Sequence, residues 1–340
     1  MIGADVHLEA QIAIGIITAL TLSKGGSECF RKQPMPIASV VMGHKKRKKK
    51  FEMKKILITG ATGNVGFEVI RFLEKNGTPN TIIAGVRNIE SAKKLFKDFP
   101  KIDLVNFDFE QPETFDDALK GIDSIFLLRP PHISDIEKYF RPLIQKIKEH
   151  KVNEVVFLSV QGSEKSKVIP HNKIERLIQE YKLDYIFLRP SYFMQNLTTT
   201  LLEDIKTKRQ IILPSGKAKF NWIDIENIGE TSSVLLNKFS DYRKLAIELT
   251  GKENLDFFKV VDLLNASIKS PISFLSVSPF KFYKIKKKEG MIKGMIFVMI
   301  MLHFLPRFQK EPVISDNYEK ITGKKPTSLG EFIEREKIKF

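Results

Sequence analysis

Residues 56–66 read Ile-Leu-Ile-Thr-Gly-Ala-Thr-Gly-Asn-Val-Gly, an apolar run that ends in a glycine loop of spacing G-x-x-G-x-x-G. Behind the loop, Val69, Ile70, Phe72 and Leu73 recur at helical spacing, and Asn76-Gly77 closes that pattern. A strand that turns through glycines straight into a helix is the opening unit of a parallel α/β sheet, and few other folds accommodate it. Gly60 permits the tight turn, Gly63 lets the backbone approach a pyrophosphate, and Gly66 lets the helix pack on the strand. The amide groups at the helix start, aided by the helix dipole, favour phosphate. A plain glycine turn is the alternative. The strand–loop–helix context favours a dinucleotide site at Gly60, Thr62, Gly63, Asn64, Val65 and Gly66.

The rest of the chain agrees with that opening. Apolar runs at 56–59, 81–86, 102–107, 124–128, 154–159 and 185–189 read as strands, separated by helical stretches at 65–76, 88–99, 115–120, 134–150 and 171–181. Continuous apolar strands alternating with helices predict a doubly wound parallel-sheet Rossmann fold of the α/β class, covered on both faces. Beyond Arg189 the regularity weakens. One more strand is read at 221–225 and a helix at 228–236, with Asp224 as its N-cap. The expected division is a Rossmann core over about 54–190 and 220–250. A small C-terminal substrate lobe takes 191–219 and 251–340.

Charge and composition narrow the function. The net charge is +16, but much of the excess sits in the block 45–50 and in Lys281, Lys284, Lys286, Lys287 and Lys288, so nucleic acid is not an expected partner. A single cysteine, Cys29, excludes an internal disulfide framework, and no Cys/His cluster has metal-ligand spacing. Both features fit a cytoplasmic protein without a metal. Residues 1–53 read as an extension, disordered or outside the native fold. Their apolar run at 12–22 is too short to span a bilayer and lacks preceding positive charge, and Met53 has the look of a natural start. The stretch 291–305 is also under bilayer length. It reads as a buried or pocket-lining helix or, with the basic run before it, as a weak membrane-surface contact through 281–305.

Arg87 stands at the end of the second strand, where an enzyme for the unphosphorylated cofactor places a carboxylate. A guanidinium there suits a 2′-phosphate, with Lys93 or Lys94 in support, against the plainer reading of a solvated arginine. NADPH is therefore expected over NADH. Leu128 and Arg129 close the fourth strand and Ser159 the fifth, at the carboxyl edge where open sheets bind ligands. Tyr192, Phe193 and Trp222 could wall a flat acceptor or simply pack the lobe.

The segments ITGATGNVG, FDFEQPETF, LRPSYFMQN, WIDIENIG and TGKKPTSLGEFI together resemble the NmrA-like family of atypical short-chain dehydrogenase/reductases, over nearly all of 54–340. The resemblance implies an adenine contact from Asp108 and Phe109 and a substrate-side loop at Pro190, Tyr192, Phe193 and Asn196. Ordinary short-chain reductases carry Tyr-x-x-x-Lys after the fifth strand. Here that helix opens Pro-His-Asn-Lys-Ile-Glu, and the family often keeps His171 and Glu175 instead. His171 becomes the candidate proton donor and Lys173 the second, each against a plain role at the helix start. The expected function is an NADPH-dependent oxidoreductase passing hydride to a small, flat, quinone- or azo-like acceptor. The alternative is a regulatory module that binds the cofactor and a protein partner without turnover.

Overall fold

The computed structural model describes residues 53–340 except 166 and 168. Six strands alternate with helices through the first half of this region: β1 (Lys55–Ile58), β2 (Thr81–Val86), β3 (Asp103–Asn106), β4 (Ser124–Leu128), β5 (Glu154–Leu158) and β6 (Asp184–Pro190). With β10 (Leu245–Leu249) they form one seven-stranded sheet of order β10-β6-β5-β4-β1-β2-β3. Every pairing in it is parallel. Helix α1 (Asn64–Lys75) follows the glycine loop, α2 (Ile89–Leu95) and α3 (Phe115–Leu119) flank β3, and α4 (Ile136–Glu149) and α5 (Pro170–Glu180) flank β5. The central strands are buried along most of their length because helices lie on both faces.

Helix α7 (Ile225–Asn237) packs against α1, and glycine makes the approach possible. A Cβ at Gly229 would lie 2.6 Å from the Glu68 Cβ and 2.8 Å from its backbone carbon. Asp224 caps α7, its side chain accepting from the Glu226 amide.

A second apolar cluster gathers Trp222, Phe257, Phe282 and Phe332. It includes a three-stranded sheet of β7 (Tyr192–Phe193), β9 (Phe220–Ile223) and β11 (Asn254–Leu255), and a two-stranded sheet of β8 (Gln210–Leu213) with β12 (Ser273–Ser276). Helices α9 (Phe257–Ser267), α10 (Pro279–Lys288), α11 (Lys293–Phe304) and α13 (Leu329–Glu336) pack around these strands.

One sequence expectation needs correction. The strand at 221–225 appears as β9, which pairs with β7 and β11 rather than joining the main sheet. The main sheet's seventh strand is β10. Its sequence, Leu-Ala-Ile-Glu-Leu, pairs only at the sheet edge and leaves Leu245 and Ala246 exposed, so it carries no continuous apolar signal. The stretch 291–305 contains α11, buried through Met295, Ile296, Val298, Met299 and Ile300. No helix among the described residues is long and apolar enough to cross a membrane. The readings made for 1–52, including the basic block and Cys29, lie outside the described residues.

Candidate active site

The glycine loop is held from three sides. Gly60 takes a φ of +62°, the left-handed region that favours glycine. The Gly63 amide donates to the Gly60 carbonyl at 3.0 Å, closing the turn. Behind it, Thr59 Oγ1 donates to the Phe126 carbonyl at 3.0 Å and accepts from the Leu128 amide at 2.9 Å, fixing the loop entry to β4. Gly63 is the N-cap of α1 and no side chain caps that end, so the helix start faces the space in front of the loop. Gly66 has a different task. A Cβ there would sit 2.2 Å from the Gly60 oxygen, which makes this glycine the contact between helix and turn. It does not line the cleft.

That cleft runs along the carboxyl edge of the sheet and encloses about 1300 Å³ of open space, its mouth included. Gly60, Thr62, Gly63, Asn64 and Val65 form its middle. Arg87, Asp108 and Phe109 form one end, and Leu128, Arg129, Ser159, His171 and Phe193 the other. Arg87 is exposed and makes no hydrogen bond or ion pair with the described residues, so its guanidinium is available to a ligand. Lys93, nominated as its helper, is held by Glu90 at 2.7 Å. Phe109 is buried between Phe107 and Phe140, at ring separations of 5.0 and 5.3 Å. Asp108 spends one carboxylate oxygen on the Glu110 amide, at 3.0 Å.

The other end is buried and charged. Arg129 turns inward and donates to the carbonyls of Pro130, Pro131 and Ile133 at 3.2, 3.1 and 2.6 Å. It therefore braces its own loop while lining the cleft. Burial pushes its pKa down to about 10. His171 is 3 % exposed, and its Nδ1 has no partner among the described residues. Burial, and then the neighbouring Arg129, hold its pKa well below the ordinary value of 6.5. A histidine held neutral is a poor imidazolium acid at physiological pH, which weighs against the proton-donor expectation.

Beside it, Ser159 Oγ donates to Glu175 Oε1 at 2.6 Å. Arg189 clasps the same carboxylate from Nε at 3.0 Å and from Nη2 at 2.7 Å, and reaches Glu164 at 2.8 Å. The serine at the cleft wall is thus oriented by a buried ion pair on α5 and β6.

The buried histidines set an acid limit on stability. His171 is low for the reasons given, and burial pushes His303 of α11 down to about 4. The unfolded chain takes up protons below about pH 6.5 that the folded chain refuses, so stability present above that value is lost as pH falls through this window. Each histidine contributes up to about 1.4 kcal/mol per pH unit there. Glu248, pushed up to about 7 by burial and then by Glu164, titrates in the opposite sense. The comparison is therefore variant against parent: His171→Gln or His303→Gln should flatten the fall in melting temperature between about pH 6.5 and 5. An unchanged slope would refute the assignment.

The NmrA-like family model matches residues 52–333. The chain belongs to the NmrA-like family. Among its relatives, Prestalk A differentiation protein A of Dictyostelium discoideum is 30% identical over 278 residues, 82% of this chain and 90% of that protein. The NAD(P)H azoreductase of Xenophilus azovorans is 25% identical over 281 residues, 82% of this chain and 96% of that protein. The fold matches the NADPH-dependent quinone oxidoreductase of Escherichia coli complexed with NADPH, at a TM-score of 0.72 and 20% identity, covering 82% of this chain and 99% of that one.

Besides Gly66, the nominated residues Lys173, Trp222, Tyr192 and Asn196 of this NmrA-like chain stand outside the cleft. Lys173 is exposed on α5, on the side away from His171, Ile174, Glu175 and Ile178. Trp222 is fully buried, its indole donating to the Leu255 carbonyl at 3.1 Å, and so belongs to the lobe core rather than a pocket wall. Tyr192 packs on Trp222 and bonds His303 Nε2 through its hydroxyl at 3.1 Å. Asn196 lies in the short helical turn Met194–Leu197, and its carbonyl accepts from the Leu201 amide. Sequence reasoning missed Pro131 and His132, which line the cleft shortly after Arg129, and Ile225 at the start of α7. Their closeness to β4 was the available signal for the first two.

Proposed function

We propose that the chain is an NADPH-dependent oxidoreductase that reduces a small, flat, quinone- or azo-like acceptor. The carrying observation is the single cleft that joins an uncapped glycine-loop helix, an exposed arginine at β2 and a buried wall of Ser159, His171 and Phe193. The residues fit the cofactor. The turn at Gly60 leaves backbone in front of α1 for a pyrophosphate, the free guanidinium of Arg87 suits a 2′-phosphate, and the orphaned Nδ1 of His171 offers a polar contact at the far end. The relatives named for NAD(P)H or crystallised with NADPH support the same choice.

Bound there, NADPH supplies a hydride. The chain's own residues do the rest. The glycine loop and Arg87 anchor the phosphates, Ser159 is held in one rotamer by Glu175, and Phe193 with Leu128 and Leu158 keeps the reacting end dry. A neutral His171 offers a hydrogen bond or accepts one, and leaves the acceptor's proton to come from solvent. A quinone or azo group tolerates that arrangement, because it accepts a hydride without strong acid help.

A sensing module without turnover is the second reading. It is favoured by the absence of an ionisable acid at the tyrosine position and the low pKa of His171. Steady oxidation of NADPH by a panel of quinones and azo dyes separates the two: acceptor-dependent turnover supports the enzyme, and tight cofactor binding without turnover overturns it. Arg87→Ala should weaken NADPH by roughly tenfold to a hundredfold, from about 1.5–3 kcal/mol per charge-assisted bond, and leave NADH nearly unchanged. Equal loss for both cofactors, read by calorimetry, would remove Arg87 as the selector.

A further inference from the structure

The surface of α10 and α11 leaves three large apolar side chains in water. Phe280 is 68%, Ile292 53% and Phe297 57% exposed. Phe280 and Phe297 belong to one surface. Residues 280, 283, 284 and 287 share one face of α10, and the Tyr283 ring lies 5.6 Å from that of Phe297, which joins the two helices into one surface. Lysines frame it. The Lys284 ammonium stands 4.4 Å over the Phe280 ring and that of Lys287 5.9 Å over Tyr283. Lys281, Lys288 and Lys293 are also exposed. The acid of this stretch, Glu289, is engaged by Lys208 and by the buried Lys286. Lys286 itself is 4 % exposed and pairs with Asp204, so it belongs to the packing rather than to the surface charge.

We propose that this face seats on an anionic lipid surface. Exposed phenylalanines with lysine ammonium groups beside them match the boundary of a bilayer, where rings enter the headgroup region and ammonium groups meet phosphate and carboxylate. A nucleic acid would use the charge but offers no apolar phase for Ile292 and Phe297. An acidic protein would use the lysines but gives no reason for large apolar side chains exposed among them. The α10–α11 pair is too short to span and lies along the surface. The proposal stands whether or not the cleft turns over an acceptor.

The test uses the full chain with phosphatidylcholine vesicles, with and without phosphatidylserine. Sedimentation should carry the protein only with the anionic vesicles. Changing Lys284, Lys287 and Lys288 together to Gln should lower partitioning by about a hundredfold, at about fivefold per lysine. Trp222, the single tryptophan, is fully buried, so Phe297→Trp reports insertion. Its emission should shift to the blue and be quenched by brominated lipid. Binding that survives the triple change overturns the proposal, since the charge would then act from elsewhere in the chain. So does sedimentation without quenching, or tighter binding to duplex DNA that a Phe280→Ser, Phe297→Ser variant retains.

Discussion

A Gly66→Ala chain should lose about 3 kcal/mol of stability and most of its cofactor affinity, the cost of overpacking against a surface that cannot yield. The added Cβ meets the Gly60 oxygen at 2.2 Å, the Gly60 carbonyl carbon at 2.7 Å and the Ala61 Cα at 2.9 Å. All three are backbone atoms of the turn whose φ at Gly60 is already fixed at +62°. Relief requires α1 to lift from β1, which moves the helix start away from the phosphate position. Gly330 is the control. A Cβ at that helical site meets nothing within 4 Å, so Gly330→Ala should be neutral or add about 0.5–1 kcal/mol. Chemical denaturation and a cofactor titration read both effects. A Gly66→Ala protein with parental stability would show that the loop is plastic.

Arg189→Ala should be as damaging, at about 3–5 kcal/mol, because it leaves a buried carboxylate without its cation. Glu175 is 4 % exposed and loses two hydrogen bonds, keeping only that from Ser159. Removing both partners as Arg189→Leu with Glu175→Leu should restore most of the stability, since an apolar pair carries no desolvation cost. The double variant should still bind the cofactor less well, because Ser159 is no longer oriented. Recovery of stability together with full affinity would mean that the ion pair is structural and nothing more.

The opening of the fold was legible because its signals are local. A strand, three spaced glycines and a helix lie within twenty residues or so, and the strand and helix periods continue from there. Arg87 was legible for the same reason, by its place at the end of β2. What failed depended on distant partners. Trp222 and Tyr192 look like pocket walls until β9 pairs with β7 and turns them into the lobe core. The low pKa of His171 comes first from its burial and then from Arg129, which follows a strand about forty residues earlier in the chain. Lys173 could have been set aside from sequence, since the apolar positions of α5 put it on the opposite side from Ile174 and Ile178.

In the proposed chemistry, a cleft lined by a neutral imidazole passes a hydride to the acceptor without also supplying the acid proton. Under the proposed reading, the two halves of a two-electron reduction are then separable in time, and the reduced product leaves the reacting end as the anion or neutral species that hydride addition makes. Selectivity would follow the electron affinity of the acceptor and the stability of its reduced form more than its outline. One such protein could serve chemically unlike compounds that share a low-lying acceptor orbital, and would discriminate poorly among their shapes.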